Sequence, residues 1–189
     1  GCRLDEPTLV QACLGSNMAL SIELMNRHSP APMPECFAPE VRALMADKFQ
    51  AELTEIAGAK ALLAELVKRG IPIAVATNGP RAKAELTLGL TGLLPFFQSA
   101  ALHPPIKSDG KPCPDRVFCA YEFDTFKPDP QLFLLAAAAL GVPSHACAAV
   151  EDSLSGLRAG VAAKMQVFSV VPLAHLKDAQ LLSPAPIEL

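Results

Sequence analysis

The chain has no stripe of basic residues interleaved with aromatics. Sixteen lysines and arginines stand against 19 aspartates and glutamates, for a net charge of -3, and aromatics make up 5% of its 189 residues. That balance argues against nucleic-acid binding. No uninterrupted apolar run reaches the roughly 20 residues a membrane helix needs. The purest stretch, residues 132–140, lies between Pro130 and Gly141 and reads as a buried helix, so no membrane association is expected. The six cysteines (Cys2, Cys13, Cys36, Cys113, Cys119, Cys147) form no CxxC pair, adjoin no histidine cluster and follow no recognisable leader. They read as reduced, mostly buried thiols of a cytoplasmic protein. His28, His103, His145 and His175 are isolated, which leaves no metal-ligand spacing and no serine or cysteine hydrolase arrangement. Internal repeats and low-complexity tracts are also missing.

What is present is apolar material and a rhythm. Hydrophobic residues make up 51% of the chain, ample for one domain with a small appendage. Leu9, Val10, Cys13, Leu14, Met18, Leu20 and Ile22 recur at helical spacing, a break follows at residues 29–34, and a second helix is predicted over 39–52. From Ala57 the pattern changes to a helix with Leu62, Leu63, Leu66 and Val67 inward, a stop at Gly70, and a β-branched run over 71–76. Helix, glycine stop and buried strand are the units of a parallel α/β sheet with helices on both faces. The rhythm continues with a helix at 81–88, a strand at 117–121, a helix at 130–140, a strand at 146–150, a helix at 154–163 and a strand at 166–171. Asp129 and Ser153 are placed to begin the two later helices. Residues 98–116, with four prolines and a Ser-Asp-Gly turn, read as an inserted surface loop. Residues from 172 onward are expected to trail over the surface.

In a parallel sheet, ligands gather at the carboxyl ends of the strands. Three such ends carry polar groups here: Thr77-Asn78, the segment leading to Lys127, and Glu151-Asp152. Thr77 offers a hydroxyl to a phosphate oxygen, and the Asn78-Gly79 turn leaves backbone amides free at a helix start. Taken alone, Thr-Asn-Gly is a common turn. Lys127, set in Phe126-Lys-Pro-Asp-Pro130, supplies a point charge, although a single lysine before a helix is most often solvated. Glu151 and Asp152 are hard oxygen donors of the kind magnesium accepts; two acids at a helix start also favour its dipole without any metal. Lys111-Pro-Cys-Pro-Asp115 nearly copies the Lys127 motif, but it runs into strand-like sequence and reads as an exposed loop, so Lys127 is preferred.

The ordered combination is more specific than its parts: strand-Thr-Asn-Gly, then Lys-Pro-Asp-Pro-helix, then strand-Glu-Asp-Ser-x-x-Gly. With it the chain resembles the haloacid dehalogenase superfamily, in the phosphatase branch that has a helical cap after the first strand. The likeness covers nearly all of residues 53–171, and Ala57-Gly-Ala-Lys60 opens the helix before the second motif. It implies a Rossmann-like core over residues 53–189 and a partial cap over residues 1–52. It implies that Thr77 and Asn78 bind the phosphoryl group, that Lys127 neutralises charge on phosphate and nucleophile, and that Glu151 and Asp152 hold Mg2+. The reaction implied is hydrolysis of small phosphorylated metabolites through an aspartyl-phosphate, closest to sugar-phosphate phosphatases such as those acting on 6-phosphogluconate.

The resemblance breaks at the nucleophile. Its aspartates belong in a DxDGT signature after an apolar first strand, and Leu4-Asp-Glu-Pro-Thr-Leu9 is a superficial echo with Arg3 at the nucleophile's position. Asp5 is therefore rejected. In the family that strand lies centrally, so the sheet is expected to show a gap. The chain reads as an N-terminally shortened phosphatase. The alternatives are a phosphomutase on the same scaffold, or a catalytically inactive phosphate-binding or interaction protein.

Overall fold

The computed structural model describes residues 2–13, 15–175, 182 and 184–188. Its chain starts with α1 (Glu6–Cys13), α2 (Met18–Arg27) and α3 (Phe37–Glu52). Asp5 begins α1, its carboxylate accepting the Thr8 N–H at 2.8 Å, and Asn17 begins α2 by accepting the Leu20 N–H at 2.9 Å. Each satisfies one of the donors that a helix start leaves unpaired. Asp5 is thus occupied at a helix start and lies on no strand. Among the described residues of this layer only Met25 is a buried hydrophobic residue.

α4 (Ala59–Lys68) follows Gly58, whose φ of 84° is left-handed, and ends at Gly70, with φ 70°. There Gly70 and Ile71 return N–H bonds to Val67 and Leu66, the glycine stop that the pattern predicts. β1 (Val75–Thr77) is shorter than the predicted 71–76. Pro72 has no N–H to give a ladder, and β1's partner, β2 (Val117–Cys119), offers three residues. The predicted strand at 117–121 ends early because the chain turns at once into α6 (Ala120–Phe123), closed by Asp124 in the left-handed region. Between them α5 (Arg81–Leu90) starts immediately after the Asn78-Gly79 turn.

α7 (Gln131–Ala139) is apolar on all sides because it is covered on two. Leu132 and Ala136 pack with Phe118, whereas Phe133 and Ala137 pack with Ala149 and Ala159. Leu132 and Phe118 have no exposed surface, and burying a side chain of this size contributes about 2 kcal/mol. β3 (Ala148–Glu151), α8 (Leu154–Ala162) and β4 (Gln166–Ser169) complete the alternation, and β3 and β4 pair in parallel.

The sheet is split. β1 pairs with β2, β3 pairs with β4, and no strand among the described residues joins the two parts. Val75 donates to Arg116 on the β2 side, while Gln166 and Val170 donate to Cys147 and Glu151 on the β4 side. Alternate residues of a parallel ladder turn their backbone groups to opposite sides. Ala76 of β1 and Ala148 and Val150 of β3 therefore present theirs to open edges, which agrees with the gap expected for the absent first strand.

Two expectations need correction and one needs an addition. The tail does not simply trail: Ile187–Glu188 forms β5 in parallel with β4, and two residues are too few to show a period. Residues 176–181, 183 and 189 lie outside the described residues. The 98–116 loop has no helix or strand and lies mostly at the surface as expected, but it is also anchored, with Cys113 and Ala101 buried and an Ile106–Pro112 bridge. Of the six free cysteines only Cys113 and Cys119 are buried; Cys36 is exposed and the others are half-buried. Predicted thiol burial holds only where a cysteine sits on or against the sheet.

Candidate functional site

Lys127 joins the two halves of the sheet. Its ammonium donates to the Ala76 carbonyl of β1 at 2.8 Å and forms an ion pair with Glu151 at the end of β3. It also lies 4.5 Å from the centroid of the Phe133 ring. Both ionic side chains are buried. The loop carrying Lys127 is fixed from β1: Asn78 Oδ1 accepts the Lys127 N–H at 2.8 Å, and Asn78 Nδ2 donates to the Lys127 carbonyl at 3.1 Å. Next to it, Thr77 Oγ1 accepts the Gly79 N–H at 3.0 Å, shaping the turn before α5.

Glu151 and Asp152 are adjacent but differently placed. Burial pushes the Glu151 carboxyl above its ordinary range, and Lys127 pulls it back only in part. Asp152 is exposed and borders the cavity, and among the described residues no ion pair or side-chain hydrogen bond engages its carboxylate. Ser153 starts α8 as predicted, accepting the Gly156 N–H at 3.2 Å. Glycine at 156 has a steric reason, since an added Cβ would coincide with the Glu151 carboxylate.

Gly15 is a residue that sequence reasoning missed. Its carbonyl accepts from Asn78 Nδ2 at 3.2 Å and from Ser155 Oγ at 2.8 Å, bringing the turn between α1 and α2 against the ends of β1 and β3. Its φ is 69°, and a Cβ there would lie 2.5 Å from Ser153 Cβ. A glycine before Ser-Asn signals a turn, but nothing in the local sequence says what the turn touches.

Thr77, Asn78, Lys127, Glu151 and Asp152 all border one cavity of about 950 Å³, walled on the far side by α1–α3. Lys111 is exposed and lies outside it. Arg81, also unforeseen, anchors the start of α5 behind the turn. Its guanidinium meets both Asp115 oxygens at 2.9 and 3.1 Å, Glu122 at 2.8 Å and the Val117 carbonyl at 2.5 Å. Burial works against the charge on Arg81, but the bonds to Glu122 and Asp115 outweigh it and hold the group above its ordinary range. The 98–116 loop is tied down through Asp115.

For a magnesium ion the donor set is suitable in kind but small. Asp152 is a free hard-oxygen ligand opening into the cavity, whereas Glu151 is committed to Lys127. Among the described residues no three histidine, cysteine or acidic side chains converge. One carboxylate with waters and a substrate phosphate is within magnesium's habits.

The profile of the haloacid dehalogenase-like hydrolases matches residues 21–164. The chain belongs to that family. It is 30% identical over 178 residues to the 6-phosphogluconate phosphatase of Escherichia coli, spanning 94% of this chain and 72% of that enzyme. Among solved structures it is similar to a family IA hydrolase from Entamoeba histolytica, with TM-score 0.74 and 18% identity, over 98% of this chain and 77% of that one. A putative β-phosphoglucomutase from Thermotoga maritima overlays with TM-score 0.68 and 22% identity, over 100% and 80% of the two chains. The structural likenesses establish the fold; the sequence likeness places the chain near sugar-phosphate phosphatases. No helix among the described residues is long and apolar enough to cross a membrane.

Proposed function

We propose that this chain forms most of a magnesium-dependent phosphatase acting on small sugar phosphates, with residues 2–52 serving as a cap over a core that begins at residue 53. The observation that carries the proposal is the meeting of Thr77, Lys127 and Asp152 at the open strand ends, along one cavity that Gly15 also borders.

In this reading the Thr77 hydroxyl, whose oxygen already accepts the Gly79 N–H, donates its proton to a phosphoryl oxygen beside the Asn78 amide. Asn78 holds the Lys127 loop, and the ammonium of Lys127 offsets the charge gathering on the transferring group. Glu151 keeps that ammonium in place rather than binding metal. Asp152, with water and the substrate phosphate, would hold Mg2+, whose role when bound is to polarise the phosphoryl oxygens. The nucleophilic aspartate comes from a strand seated between the open edges of β1 and β3, and hydrolysis runs through its aspartyl-phosphate. The fold-level likeness to a phosphoglucomutase does not favour transfer to sugar over transfer to water.

The test is to fuse an apolar strand ending in DxDGT ahead of residue 2 and measure phosphate release from sugar phosphates with Mg2+. Release that Asp152→Ala abolishes is the expected result. No release with a stably folded fusion, or activity untouched by Asp152→Ala, would overturn the proposal.

A further inference from the structure

The two loop segments that carry Thr77 and Lys127 are joined twice. In front, Asn78 clasps the Lys127 backbone through its N–H and its carbonyl. Behind, Arg81 at the start of α5 donates from Nε and Nη2 to one oxygen of Glu122 on α6, at 3.0 and 2.8 Å. Arg81 lies three residues past Asn78 and Glu122 lies five before Lys127, so residues 77–81 and 122–127 form a frame with two rungs. The chain between Glu122 and Lys127 is itself tied down: Thr125 returns its N–H to Ala120 at 3.2 Å, and Phe126 meets Tyr121 edge to face with ring centroids 4.9 Å apart. Residues 98–116 brace the rear rung from both ends. Asp115 accepts from Arg81 Nη1 at 2.9 and 3.1 Å, Lys107 approaches the other Glu122 oxygen at 3.4 Å, and the Ser108 N–H and hydroxyl both donate to the Glu122 carbonyl, at 2.7 and 2.8 Å. The side chains of Arg81, Lys107, Asp115 and Glu122 are only 15 to 19% exposed, so these pairs are shielded in a way that surface pairs are not.

We propose that Arg81 and Glu122 are positioning residues for the phosphoryl site, and that residues 98–116, by bracing this pair, set how closely Thr77 and Lys127 converge. The proposal rests on the reading of these strand ends as a phosphoryl site. Two cations face two carboxylates in the cluster, and neither Arg81 nor Glu122 borders the cavity, so the pair acts on a ligand only through the turn and the Lys127 loop. No strand among the described residues joins β1 to β3, which leaves the spacing of the site to such cross-ties. A planar guanidinium held by two carboxylates resists the swing of α5 that a single bond would allow, and small displacements of the groups around a bound anion are costly.

The experiment is a calorimetric titration of the chain with inorganic phosphate, with denaturant unfolding of every variant alongside. Arg81→Gln and Glu122→Gln should each weaken phosphate binding about tenfold, and the double variant should bind no more weakly than the worse single one, because the two act as a unit. Asp115→Asn, on the inserted loop, should weaken binding about threefold. Val167→Ala, which opens a cavity against Leu157 far from the frame, should lower stability and leave phosphate affinity unchanged. In the ligand-free Arg81→Gln chain the amide resonances of Asn78 and Lys127 should move. Unchanged affinity in Arg81→Gln and Glu122→Gln, additive losses in the double variant, unmoved Asn78 and Lys127 resonances, or an equal loss in Val167→Ala would overturn the proposal while leaving the phosphoryl site standing. Unchanged affinity in Asp115→Asn would overturn the part given to the loop. If Arg81→Gln does not fold, Glu122→Gln and Asp115→Asn decide the matter by the same readings. If the wild-type chain binds no phosphate, the phosphoryl reading falls and this proposal falls with it.

Discussion

The floor of the cavity and its roof are held by different means. The floor consists of strand ends cross-tied by buried side chains: Lys127 to Glu151 and Ala76, Asn78 to the Lys127 loop in both directions, and Ser153 to the start of α8. The roof, α1–α3, buries a single described hydrophobic residue and meets the rest of the structure chiefly where α3 packs against α5, with the Gly15 carbonyl and Lys83 over the Phe49 ring as specific contacts. Apolar residues that would form a core in a closed helical domain, such as Met45 and Phe49, face the cavity instead. The floor is therefore organised before a ligand arrives. The roof gains its missing contacts from whatever fills the space below it.

The contrast can be broken most severely from the floor. Lys127→Ala leaves Glu151 buried without its cationic partner, with only the Ser153 hydroxyl at 3.5 Å, and should cost about 3–5 kcal/mol of stability, because an uncompensated buried charge is worse than no pair. Denaturant unfolding measures this. Lys127→Ala combined with Glu151→Ala should recover part of the loss, and a single variant as stable as wild type would show that the pair is not organising the floor.

A smaller effect is expected where the halves meet. Gly15→Ala forces a side chain into a left-handed backbone and against Ser153, a strain of about 1–3 kcal/mol. The strain is concentrated at one contact, so the roof should swing away while the floor survives. Amide exchange should quicken in α1–α3 and remain slow in α7 and β3. Uniform quickening would mean that roof and floor unfold together.

The mildest probe is chemical. Burial pushes the Cys119 thiol up to about 12, so at pH 8 it is protonated as well as shielded, whereas Cys36 is exposed on the roof. Alkylation of the native protein should reach Cys36 first and Cys113 and Cys119 only on unfolding. Between pH 9 and about 12 the unfolded chain has released the Cys119 proton while the folded chain retains it. That contribution to stability is thus fully present below pH 9 and lost as pH rises through this window. Rapid native labelling of Cys119 would contradict the burial of β2.

Much of the floor was legible in the sequence because each of its parts is local. The run from Ile71 to Thr77, the Lys-Pro-Asp-Pro segment and the Val-Glu-Asp-Ser strand end each carry their own turn and helix-start chemistry, and a parallel sheet brings such ends together. The difference between Glu151 and Asp152 was not legible. It depends on which way each side chain points once Lys127 arrives from 24 residues upstream. Gly15 and Arg81 were missed for a similar reason, as their partners are set by packing between elements rather than by spacing along one. The closing strand at Ile187–Glu188 is too short to show alternation, and the 98–116 loop conceals its anchor because Asp115 gains significance only opposite Arg81.

The central claim is that these strand ends form a phosphoryl site, and titrating the isotopically labelled chain with inorganic phosphate while following its amide resonances tests it most directly. The account predicts saturable shifts concentrated at Thr77, Asn78, Gly79, Lys127 and the start of α8 from Ser153. An absence of shifts, or shifts confined to residues remote from these strand ends, would contradict it.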